Sequence, residues 1–134
     1  MKPKTWPTLC LCFILGSGQP AAAAHMGCAV HPSVEASCES AYGIFRITQS
    51  VDGVKLAAQY FKQCARTHSG QQQREIQLAH LGALEFIAVE DTDPVEKDVY
   101  RKAGISAAAA LLAKTDLNKK DRECVHLIAD ELQP

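Results

Sequence analysis

The chain has 134 residues, with 14 Lys or Arg against 15 Asp or Glu, 47% hydrophobic residues, six cysteines and one tryptophan. Setting aside Lys2 and Lys4 near the amino terminus leaves 12 basic residues against 15 acidic, a net charge of −3. That balance excludes nucleic acid as a partner, because neutralising phosphates needs clustered Lys and Arg, and the length suits one domain with a modest core.

Residues 1–24 have the pattern of a secretory signal peptide. Lys2 and Lys4 form a basic start, Leu9 to Leu15 a short apolar run, and Ala21 to Ala24 the small residues needed for cleavage. The predicted mature chain, 25–134, is a single all-α domain in the periplasm or outside the cell. A membrane span needs about 20 apolar residues, so no stable membrane insertion is expected. The Leu-rich approach that lipoprotein processing ahead of Cys28 would use is missing. Cys10 and Cys12 leave with the signal, and Cys28, Cys38, Cys64 and Cys124 remain. An even number of cysteines in an oxidising compartment predicts two disulfides. No pair has the close spacing of zinc-binding cysteines.

The first predicted helix carries Val34, Cys38, Ala41, Tyr42, Phe45 and Thr48 at helical spacing, and the second carries Val54, Ala57, Ala58, Phe61, Cys64 and Ala65. Ser50 to Gly53 forms the break, with Ser50 as cap and Gly53 loosening the chain. In an antiparallel hairpin, residues equally far from the turn lie side by side. The midpoint between Cys38 and Cys64 is Val51, inside that turn. Cys38 is therefore paired with Cys64, which leaves Cys28 to join the amino-terminal segment to Cys124.

Ser69 and Gln72 have capping-box spacing and open a third helix running to about Val89. Its apolar stripe of Ile76, Ala79, Ala83, Leu84 and Ile87 is widened by Leu78, Leu81 and Phe86, which predicts the central, most buried helix. His80 falls on the stripe and reads as a hydrogen-bonded core histidine. A fourth helix begins with Asp93 as N-cap, Pro94 at the first position and Glu96 at the third. It places Val95, Val99, Tyr100 and Ala103 on its apolar face, continues through the small-residue run Ser106 to Ala110 and ends near Lys114. Asn118 and Asp121 open a last helix bearing Cys124, Val125, Ile128 and Leu132. The expected fold is a five-helix bundle of antiparallel helical hairpins, stapled by disulfides.

The stretch VDGVKLAAQYFKQCARTHSG followed by LAHLGALEFI resembles the second helix of one Sel1-like or tetratricopeptide-like repeat leading into the first helix of the next. It covers about a quarter of the chain. No second copy recurs at a fixed period, so the resemblance is one of hairpin packing. It implies a protein-binding scaffold.

No metalloprotease helix, nucleophile elbow or glycine-rich phosphate loop is present. His80 and Glu85 point about 140° apart on one helix and cannot share a metal. Met26 beside His25, near a chain terminus, is poor support for haem. No catalytic, metal or cofactor site is expected. The candidate working surface is instead the acidic bend of Glu85, Glu90, Asp91, Asp93, Glu96 and Asp98, with Lys97 as its only nearby base. Asp93, Glu96 and Asp98 suit the helix start that follows, whereas Glu90 and Asp91 sit at a helix end, where negative charge is unfavourable. Glu90, Asp91, Asp93 and Glu96 are accordingly assigned to a protein partner with a basic cleft. The expected function is that of an inhibitor or immunity-type protein neutralising a cell-envelope enzyme. The alternative is a non-catalytic adaptor or structural module of an envelope complex, with a possible homodimer seam along Ala107 to Ala110.

Overall fold

Among residues 21–48 and 50–134, which the computed structural model describes, every regular element is a helix. They are α1 (Ala21–Ala29), α2 (Val34–Ser37), α3 (Glu39–Ile47), α4 (Val51–Arg66), α5 (Gly70–Glu90), α6 (Pro94–Leu112) and α7 (Lys119–Leu132). The predicted signal segment's basic start and apolar run lie outside the described residues. No helix described is long and apolar enough to cross a membrane.

The all-α expectation is met, with two departures from five helices. The segment Ala21–Ala29, which the sequence divides between signal and tail, forms α1. The helix expected through Val34 to Thr48 breaks at Cys38, whose backbone leaves the helical region at φ −136° and ψ 61°. Cys38 bonds there to Cys64, with Cα atoms 6.0 Å apart. Cys28 bonds to Cys124 across 96 residues of sequence, with Cα atoms 5.8 Å apart. Both pairings are those the spacing predicts.

Helix starts follow local chemistry. The Ser50 side chain accepts from the Gly53 amide, Asp93 accepts from the amides of Val95 and Glu96, and Asn118 accepts from that of Asp121. The capping box at Ser69 does not form, and the Ser69 side chain makes no cap hydrogen bond. Gly70, the first residue of α5, takes a left-handed φ of 62°, so the first turn after Ser69 does not have the regular helical backbone that a capping box requires. Gly53 does not loosen a turn. It lies inside the first turn of α4, where an added Cβ would collide with the Thr48 side chain.

α5 is the centre of the molecule and packs against α1, α2, α4, α6 and α7. One side of it, through Ile76 and Ala79, meets Val34, Ala41, Ala57 and Phe61. Another, through Leu78, Leu81 and Ala88, meets Ala29 of α1, Ala108 and Leu111 of α6, and Cys124, Val125, Ile128 and Leu132 of α7. α1 brings little apolar bulk to this contact, and it approaches closely because position 82 is glycine. A Cβ at Gly82 would lie 2.8 Å from the Ala29 Cβ.

Candidate functional site

At the α5–α6 bend, Asp91 ends α5 and Asp93 opens α6. Asp91 Oδ1 accepts from the Asp93 amide at 3.0 Å, and its Oδ2 lies 3.1 Å from Lys55 Nζ of α4. Lys55 Nζ also donates to Glu96 Oε1 at 3.1 Å and sits 5.4 Å from the centre of the Tyr100 ring. The Asp93 amide, followed by Lys55, holds the Asp91 carboxyl below its usual range, while Asp91 and then Glu96 raise the Lys55 ammonium above its own.

These contacts correct the expected charge pattern. Lys55, brought in from another helix, is a nearer base than Lys97, and Asp91 is buried in an internal ion pair that also compensates Glu96. Glu90 is half-buried and Asp93 exposed. Asp98 pairs with Arg101 at 2.6 Å and Lys102 at 2.9 Å, and these two, in that order, lower its pKa. Glu85 does not belong to the bend and is fully buried beneath α1.

The start of α6 also presents what helical spacing assigned to the core. Val95 is 69% exposed and Val99 53% exposed. α6 lies at an edge and packs on α5 and α7 through Gly104, Ala108 and Leu111, so its inward stripe is narrower than its apolar residues suggest. The alanine run is likewise divided. Ala108 is buried in the core, whereas Ala109 and Ala110 are exposed.

Between α4, α5 and α6 lies an open cleft of about 320 Å³, lined among others by Lys62, Arg66, Gln77, His80, Ala110 and Lys114. His80 is half-buried in its wall and makes no side-chain hydrogen bond among the described residues, unlike the bonded core histidine expected. Burial, followed by the Lys62 charge, lowers its pKa to about 4, so it is neutral at pH 7.

A third constellation joins α1, α5 and α7. His25 Nδ1 of α1 meets Glu85 Oε2 of α5, and one donor atom each from His25, Glu85 and Glu131 of α7 lie within 4.8 Å of one another. The Glu85 side chain has no solvent exposure, and its second oxygen, Oε1, has no hydrogen-bond partner among the described residues. Burial pushes the Glu85 carboxyl up to about 7, against the lowering effect of His25. At the other end of α7, His31 Nε2 of the α1–α2 loop lies 2.8 Å from Oδ1 of buried Asp121.

Sequence reading misses this cluster because its members are far apart in the chain and His25 falls at the predicted mature terminus. One signal was present. Glu85 interrupts the broadest apolar stretch of the central helix, and a carboxylate there requires a partner. The chain matches no family model, no curated protein and no solved structure.

Proposed function

We propose that this chain is an exported, disulfide-stapled domain that acts in the periplasm or outside the cell by binding protein, as an inhibitor or immunity-type protein of a cell-envelope enzyme. The two disulfides suit an oxidising compartment. The observation that carries the reading is the exposure of Val95 and Val99, one turn apart at an acidic helix start. Apolar side chains ringed by charge are the arrangement of an interface centre with a polar rim. Asp91 and Glu96 hold α4 to α6 through Lys55, which fixes that rim, while Glu90 and Asp93, in no ion pair among the described residues, add negative charge for steering a basic partner.

The adaptor alternative loses part of its support, because Ala108 packs inside the molecule. The test compares the oxidised protein with a Val95→Asp, Val99→Asp variant as immobilised baits for envelope extract. Both valines are exposed, so stability should change by no more than about 0.5 kcal/mol. The expected result is one stoichiometric hydrolase, eluted by salt, held at least about tenfold more weakly by the variant. Equal retention by both baits would remove the surface, and recovery of the protein alone would return the adaptor reading.

A further inference from the structure

We infer that His25, Glu85 and Glu131 form a site for a divalent transition-metal cation, zinc in particular, that clamps α1 onto α5 and α7. Three elements each present one potential ligand atom, and these atoms lie within 4.8 Å of one another. Ligand atoms of a tetrahedral zinc are about 3.3 Å apart, given bonds of about 2.0 Å. The remaining closure is within reach of Glu131, which is exposed at the surface. His25 and Glu85 already touch.

Burial argues that this is more than an ion pair. Glu85 is fully buried, and its contact with His25 uses Oε2 alone, leaving Oε1 with no partner among the described residues. A buried carboxylate with an unused oxygen is costly. Glu131 adds a second negative charge next to the same imidazole, so a single histidine cannot balance both carboxylates. A cation between them compensates the two charges and employs the unused oxygen. On binding, the proton shared by the His25–Glu85 pair passes to solvent, and both groups turn their lone pairs to the metal.

The donor set chooses the cation. One imidazole nitrogen with carboxylate oxygens suits zinc, whereas calcium and magnesium favour all-oxygen shells. Three protein ligands leave a further position for water on the Glu131 side, where the cluster reaches the surface. The site joins the same two helices, α1 and α7, as the Cys28–Cys124 bridge, and it adds α5.

The test is calorimetric titration of zinc chloride into the oxidised, chelator-stripped protein and into His25→Ala, Glu85→Gln and Glu131→Gln. The expected result is one zinc per chain with Kd of about 10 µM or tighter, weakened at least about tenfold in each variant, with proton release in the parent. Zinc at about 100 µM should raise the melting midpoint of the parent by several degrees and that of Glu131→Gln by clearly less. Glu131 is exposed, so that variant reports on the metal without threatening the fold. Absence of binding at about 100 µM zinc, or binding retained by Glu131→Gln and Glu85→Gln alike, would overturn the assignment. So would tighter binding of calcium or magnesium.

Discussion

On one side of α5, the α3–α4 hairpin closes with apolar bulk. Phe45 packs edge-on to Phe61 at 6.0 Å between ring centres, Phe61 and Ile76 are fully buried, and the Cys38–Cys64 bridge spans only 26 residues of sequence. On the other side, α1 offers Ala29 as the one fully buried apolar residue among its residues of described burial, 25–29, and is held by Cys28–Cys124, His25–Glu85 and His31–Asp121. A segment that neighbours its partner in sequence can be held by packing. One that returns across 96 residues with small side chains needs covalent and polar anchors.

The sharpest way to break this comparison is to remove each bridge in turn. In the chain-entropy model, losing Cys28–Cys124 through a double Ser variant costs about 4.7 kcal/mol and losing Cys38–Cys64 about 3.5 kcal/mol. The difference in function of the two bridges should exceed the difference in energy. Without Cys28–Cys124, the amides of α1 should exchange with solvent well before global unfolding, whereas the Cys38–Cys64 variant should remain cooperative. Uniform exchange in both variants would show that α1 is held by its other contacts.

Next in size is the effect of the buried carboxylate, measured as the difference in stability between the parent and Glu85→Gln across pH, with a chelator present. The folded pKa is raised to about 7 from 4.5. Between those values the folded state holds a proton that the unfolded state has released, so this group destabilises progressively as pH rises and reaches its full effect above pH 7. Glu85→Gln should therefore be more stable than the parent by about 3 kcal/mol at pH 8, and the gain should vanish near pH 4. The difference between the two proteins isolates this group from His80, whose lowered pKa acts in the opposite sense, favouring the folded state as pH rises from 4 to 6.5.

Much of this contrast can be read from the residues, and the unread part has a physical reason. Helical spacing and caps locate α4 to α7, and the hairpin midpoint pairs Cys38 with Cys64, because these features depend on neighbours in sequence. The break at Cys38, the exposure of Val95 and Val99 and the reach of Lys55 to Asp91 depend on how helices are placed in space. The His25, Glu85 and Glu131 cluster depends on three helices at once, and only the odd position of Glu85 within an apolar stretch hints at it.

The smallest predicted effect is the most discriminating, because one type of substitution should have opposite signs on the two sides. At Gly82 an added Cβ lies 2.8 Å from the Ala29 Cβ, and both atoms are fixed by their backbones, so α1 and α5 must part. Overpacking of this kind costs about 1–3 kcal/mol, against a gain of about 1 kcal/mol from replacing glycine in a helix. Gly82→Ala should thus be destabilising by up to about 2 kcal/mol in urea unfolding. At Gly43, within α3, the same Cβ meets nothing within 4 Å, and Gly43→Ala should stabilise by up to about 1 kcal/mol. The separation forced at Gly82 also moves His25 away from Glu85, so Gly82→Ala should bind zinc more weakly while Gly43→Ala binds it as the parent does. Equal stability changes at the two glycines would mean that α1 rests on α5 too loosely for its anchors to be set by packing, and the contrast between the two sides would then be one of covalent linkage alone.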